Sequence, residues 1–370
     1  MREIIIIGGG LAGLISAIEL SKEGFSVKLI EKKAYPFHRV CGEYISNEVL
    51  PYLKREKLMP EVSTSQINRF EFSSIRGTTL DLPLDLGGFG TSRYQLDYHL
   101  AQKAKSNGVE IHEKVKVVSC KFHDDLFNIE TSNGQIFHAK IVIGAFGKKS
   151  VLDNQLQRGF TKYKAPYLGV KYHIKTDYPN DLVSLHNFEG GYCGISAIED
   201  EQFNLCYLGS RDQLKKYGSI EAMEKEVLFL NPHLKRIFEN SEFLFEKPEV
   251  INEFSFAPKK LIEDHILMAG DSAGLITPLC GNGMAMAIHS GKILAETITA
   301  YYTDKGLDRQ QLEKAYLKSW NVLFKKRLWV GRQTQKLFGS KITSSLAVGL
   351  MRAVPPFAKV IMKNTHGKPF

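Results

Sequence analysis

Glu3-Ile4-Ile5-Ile6-Ile7-Gly8-Gly9-Gly10-Leu11-Ala12-Gly13, answered by Val27-Lys28-Leu29-Ile30-Glu31-Lys32, is the stretch that decides the fold. The isoleucine run is continuous and β-branched, as in a strand buried on both faces of a parallel sheet. Leu11 to Lys22 has helical spacing, Gly24 ends that helix, and Val27 to Ile30 is apolar again. Strand, helix and strand make one βαβ unit. Within it Gly8 allows the tight turn, Gly10 lets the backbone approach a pyrophosphate, and Gly13 permits close packing of helix on strand. The free amides of the first helical turn, from Leu11 and Ala12, and the helix dipole favour the phosphate there. Glu31, followed by Lys32, can accept hydrogen bonds from ribose hydroxyls and suits an adenosine without a 2′-phosphate. At this point FAD and NAD are not distinguished.

The chain of 370 residues exceeds one ordinary domain, so two cores are expected. With 43% apolar and 24% charged residues, the composition is globular and excludes a disordered or fibrous chain. Met1 to Ile7 lacks the layout of a secretory leader, and no window reaches the roughly 20 apolar residues of a bilayer span. Five cysteines without a C-x-x-C pair fit a reducing compartment, so a cytoplasmic location without a metal site is expected. The net charge of +9 is uneven, because twelve Lys or Arg and no acid follow Glu313; without them it would be −3. Such a stretch suits an anionic lipid surface or a carrier-bound substrate. No nucleic-acid recognition motif accompanies it, and nucleic acid is not an expected partner.

Residues 48–93 are irregular and read as short strands and loops, and Tyr94 to Ser106 as a helix. Asn133-Gly134 marks a hairpin. Residues 163–256 alternate as in an antiparallel sheet, and a strand at 265–269 leads through a glycine-rich turn into a helix at 283–302. The expected fold class is α/β, with a Rossmann-type domain (residues 1–60, 97–155 and 260–305) interleaved with an antiparallel α+β substrate domain (61–96 and 156–259). A helical basic region, 306–370, follows.

The cofactor is narrowed by Ile266-Leu267-Met268-Ala269-Gly270-Asp271-Ser272-Ala273-Gly274, with Pro278 and Gly281-Asn282-Gly283-Met284 beyond it. A strand ending in Gly270-Asp271 offers a carboxylate to a ribityl chain, which NAD lacks. The helix that follows can aim its amides at the edge of a flavin where negative charge accumulates on reduction. With the Arg39-Val40-Cys41-Gly42 segment, and Arg93 ahead of Asp97 and Leu100, the sequence resembles a family of FAD-dependent oxidoreductases. That family includes p-hydroxybenzoate hydroxylase-type enzymes and geranylgeranyl reductases, and the sequence is most similar to the geranylgeranyl reductase-like branch, over about its first 300 residues. The resemblance implies that Glu31 holds the adenosine ribose and that Arg39 and Arg93 lie near the pyrophosphate or ribityl chain. It also implies that Cys41 and Gly42 belong to the cradle, that Val117 meets the adenine through its backbone, and that Asp271 binds ribityl or pyrophosphate groups. Pro278 and the turn from Gly281 to Met284 would line the isoalloxazine ring.

Two departures from the family pattern matter. Its middle motif, Gly-Ala-Asp-Gly, is Gly144-Ala145-Phe146-Gly147 here, so a carboxylate tied to flavin and nicotinamide handling is missing. The reductase branch's Tyr-x-Trp-x-Phe-Pro becomes Tyr192-Cys193-Gly194-Ile195-Ser196-Ala197, which removes three bulky groups from the implied pocket wall. No acid or base stands out; His38, His186 and Tyr192 are candidates because they fall in the substrate segments. In the tail, Leu317, Trp320, Leu323, Phe324 and Leu328 alternate with lysines and Arg327. An apolar stripe of this kind packs on the substrate domain or rests on lipid.

The expected function is a flavin-dependent oxidoreductase, foremost a monooxygenase of an apolar, aromatic or polyketide-like molecule with NADH or NADPH as external reductant. The alternatives are reduction or desaturation of a prenyl or polyketide chain, and a flavin-binding protein without turnover.

Overall fold

The computed structural model describes residues 3–254, 256–277, 281–303, 306–335 and 367–370. The isoleucine run forms the strand Glu3–Ile7 near the centre of a six-stranded sheet, with Ile4, Ile5 and Ile6 fully buried. Its neighbours are Ser26–Glu31, which continues to Glu110–Glu113, and Ile141–Gly144, which continues to Ile266–Met268 and Ile262–Glu263. All pairings are parallel except the last. The parallel strands therefore end on one side, and the residues that follow them, Gly8, Lys32, Ala145 and Ala269, gather there. The helix Leu11–Lys22 is locked against Gly283–Tyr301: a side chain at Gly291 would stand 2.6 Å from the Ala12 carbonyl oxygen.

The second sheet has nine strands. Tyr167–Lys175, Phe203–Ser210, Gly191–Ala197, Leu182–Phe188, Ser65–Ser73 and Thr79–Gly90 lie side by side, with Tyr44–Ser46 beyond Thr79–Gly90. Only the pairing of Leu182–Phe188 with Ser65–Ser73 is parallel among these. The short strands expected before Arg93 are in fact two long ones, of 9 and 12 residues. Asp81, Pro83, Asp85 and the glycines at 87, 88 and 90 disguise the second, which is held by pairing rather than by its own propensity.

One face of this sheet, bearing Leu168, Val170, Ile174 and Leu205, is covered by the helices Arg211–Tyr217, Ile220–Val227 and Pro232–Glu239. The period of two along each strand turns Phe72, Leu185, Tyr192 and Leu208 to the opposite face, where they form a separate apolar cluster.

After Asp308, the helix Arg309–Trp320, a π-helical turn Asn321–Lys325 and the helix Lys326–Gln335 run together. Their inward residues Leu312, Tyr316, Trp320, Phe324 and Leu328 join the core of the first domain. Arg327, nearly buried, donates to Glu48 at 2.9 and 3.2 Å. Apart from Leu317, which is exposed, the apolar stripe thus packs on the nucleotide-binding domain, not on the substrate domain, because Glu48 and the Gly283–Tyr301 helix give it both a charge partner and an apolar floor.

Candidate functional site

A single cavity of about 840 Å³ runs from the ends of the parallel strands to the free face of the second sheet. Gly8, at φ +105°, sits where any side chain would collide with the Ala145 carbonyl, and a side chain at Gly13 would strike the Gly8 carbonyl. Gly10 faces open space, its nearest prospective neighbour being an Arg93 Nη at 3.7 Å. Gly8 and Gly13 therefore close the turn, and Gly10 leaves room for a phosphate over the helix start.

The buried Glu31 carboxylate accepts from Gly9 N at 2.8 Å and Lys33 N at 3.0 Å, and pairs with Arg39 at 3.2 Å. It stabilises the glycine turn and keeps lone pairs for a ribose. Arg39 also reaches Asp97 at 2.9 Å and the Gly9 carbonyl at 3.1 Å, while Arg93 makes a two-pronged pair with Asp97 at 2.7 Å. Tyr35 donates to the same Gly9 carbonyl at 2.5 Å. Both arginines line the cavity beside Gly10, so two fixed cations face the place where a pyrophosphate would lie.

Gly8, Gly10, Leu11, Ala12, Glu31, Lys32, Arg39, Cys41, Gly42, Arg93, Val117, Gly147, Gly270, Asp271, Gly281, Gly283 and Met284 all line this one cavity. Gly13 stands behind it as a packing residue. Asn282 is buried at the residue that precedes the helix from Gly283, without a side-chain capping bond. Pro278 and Cys280 lie outside the described residues. The second glycine turn is built by partners from afar. Gly147 N donates to Ser272 Oγ at 2.8 Å, Gly270 N to Ser290 Oγ at 2.9 Å, and Lys259 Nζ bridges the carbonyls of Lys148 and Asp271 at 2.9 and 2.8 Å. Burial lowers the Lys259 amine to about 8. Phe146 itself lines the cavity.

Sequence reading missed the join between the domains. Glu43, immediately after Gly42 and fully buried, pairs with the equally buried Lys171 at 2.5 Å and with His173 at 2.7 Å, and accepts from Arg93 N at 2.8 Å. Burial alone would raise its carboxyl, but the Lys171 charge and the His173 contact outweigh it and bring it to about 2. The available signal was Lys171 itself, a lysine inside the apolar strand Val170 to Ile174.

Of the three acid-base candidates, only His38 lines the cavity. Burial and the nearby Lys171 charge lower its imidazole to about 4, so at neutral pH it can accept a hydrogen bond but is not a ready acid. His186 faces away, bonded to Ser73 Oγ at 2.9 Å and stacked on His233, and Tyr192 is buried in the apolar cluster. Gly194 and Ser196, where the branch pattern has Trp and Phe, both line the cavity.

The FAD binding domain family matches residues 1–318, and the chain belongs to that family. A digeranylgeranylglycerophospholipid reductase of Methanosarcina acetivorans is 26% identical over 342 residues, 86% of this chain and 80% of its own. Conditioned medium factor receptor 1 of Dictyostelium discoideum is 24% identical over 368 residues, covering 87% and 68% respectively. Among solved structures, the flavin-dependent brominase Bmp2 superposes with a TM-score of 0.78 at 19% identity, over 97% of this chain and 92% of the other, and so shares the fold. FAD fits the geometry: the cradle has Gly8 at a turn that admits no side chain and Gly10 facing open space, is lined by two arginines, and is continuous with a glycine turn at Gly281 to Gly283.

Proposed function

We propose that the protein is an FAD-dependent oxidoreductase that reduces carbon–carbon double bonds of an extended apolar, prenyl-like chain. One observation carries this reading: the cavity does not stop at the FAD cradle but continues along a wall of Phe70, Phe72, Leu82, Val183, Leu185 and Ile251. Such a wall binds hydrocarbon by burying it, at about 25 cal/mol per Å², and offers few groups that would orient a phenol.

Bound FAD would supply the two-electron hydride chemistry. The chain's part is to hold it through Glu31, Arg39, Arg93 and Asp271, to exclude water with the apolar wall, and to set the substrate against the ring near Gly281 to Met284. The reduction adds a hydride to one carbon and a proton to its neighbour. The two electrons would come from FAD in its reduced form, which an external donor such as NADH or NADPH would have to supply. The reductase relatives' names support the reaction class.

Mass analysis of products from a geranylgeranyl lipid, made with and without O2, tests the proposal. Addition of hydrogen in both conditions is expected; incorporation of oxygen, with no product under anaerobiosis, would establish monooxygenation instead.

A further inference from the structure

The inward side of the C-terminal helices is accounted for by the core. The outward side is not. Leu317, Val322 and Trp329 are exposed at 46%, 76% and 58%. Lys318, Lys325 and Lys326 are exposed among them, and Lys314 lies one turn earlier. None of these four lysines has an ion pair among the described residues, and no acid occurs anywhere in 314–335. Among the described residues, the one cation of the segment tied to a carboxylate is Arg327, which turns inward to Glu48.

We propose that this face, Leu317 to Trp329, is where the protein rests on an anionic lipid bilayer. The chemistry matches the partner. Exposed Val and Trp insert at the headgroup boundary, the lysines meet anionic headgroups, and the segment 314–335 adds no acid of its own to repel them. The same helix pair connects the face to the cavity. On the helix Lys326–Gln335, Trp329 points outward while Thr334 lines the cavity, and Gly331 receives a hydrogen bond from Thr277 at 3.2 Å, beside the cavity residues Leu275 and Ile276. A bilayer seated there would bring a lipid-like substrate to the wall that receives it. This last link rests on the reductase reading; the surface itself does not.

The test is flotation of the FAD-loaded protein with vesicles of phosphatidylcholine alone and of phosphatidylcholine with phosphatidylglycerol, in low and high salt. Binding to the phosphatidylglycerol vesicles, weakened by salt, is expected. The variant Lys318→Glu/Lys325→Glu/Lys326→Glu should lower it at least about tenfold, since each lysine near the surface contributes on the order of 1 kcal/mol, a factor of about five. With Trp320 buried and Trp329 exposed, vesicles should also shield Trp329 from acrylamide quenching in a Trp320→Phe background. Unchanged FAD absorbance verifies that each variant is folded. Absence of binding, equal binding to both vesicles, or full binding by the triple variant would overturn the proposal. Vesicle binding is measured without turnover, so its failure is separable from failure of the reductase reading, which is judged by turnover of a short, detergent-dispersed prenyl substrate.

Discussion

Arg93 holds both carboxylate oxygens of Asp97 at 2.7 Å, from one turn earlier in the same helix. Asp97 is also the partner of Arg39, so one buried acid fixes two cations at the FAD cradle. Charge-assisted bonds of this kind contribute about 1.5–3 kcal/mol each. Asp97→Asn should therefore weaken FAD binding by at least about tenfold, read by titrating apoprotein with FAD. An unchanged Kd would mean that the arginines do not shape the site.

The Glu43–Lys171 pair joins a loop of the FAD domain to a strand of the substrate sheet. Removing one member of a buried pair costs about 3–5 kcal/mol, because the other charge is left unpaired. Lys171→Met should destabilise by that amount, and the double variant Glu43→Gln/Lys171→Met should recover part of it in a denaturant titration. Because the Glu43 carboxyl lies at about 2, below its ordinary value of 4.5, its stabilisation is present above 4.5 and is lost as pH falls toward 2. The double variant should lose this component of acid sensitivity.

Glu224 has the opposite sign. Burial raises its carboxyl to about 7, although Tyr172 and Tyr207 donate to it at 2.9 and 2.8 Å. The protonated form is favoured in the fold, so its contribution is present below 4.5 and is lost as pH rises through 7. Glu224→Gln should raise stability above pH 7 by on the order of 1–3 kcal/mol and change little at pH 4. Thermal unfolding at the two pH values measures this; equal effects at both would refute it.

Gly194 lies on the cavity wall opposite Leu185 in the strand register. Gly194→Trp should fill this part of the cavity. We expect full FAD content with KM for a prenyl substrate raised at least about tenfold. Loss of FAD with no separate effect on substrate would place Gly194 in the cofactor cradle instead.

The parts legible in the sequence are those that local chemistry determines. The isoleucine run, the glycines at 8, 10 and 13, and Glu31 specify strand, turn and helix within a short span, and Gly270-Asp271 does the same for the second turn. The strand Thr79–Gly90 was hidden because its glycines, proline and acids are tolerated only through pairing with Ser65–Ser73. The domain junction was hidden for a different reason. Glu43 and Lys171 are far apart in sequence, and nothing near either one indicates the other. His186 shows the converse error: strand periodicity carries it to the face opposite the cavity, where it bonds Ser73.

The most direct test of the account is anaerobic rapid mixing of the pre-reduced FAD-loaded protein with a geranylgeranyl lipid. Return of oxidised-flavin absorbance is expected, at a rate that rises with lipid concentration and with one double bond reduced per flavin oxidised. Flavin that stays reduced with the lipid and reoxidises only on admission of O2, yielding an oxygenated product, would contradict it.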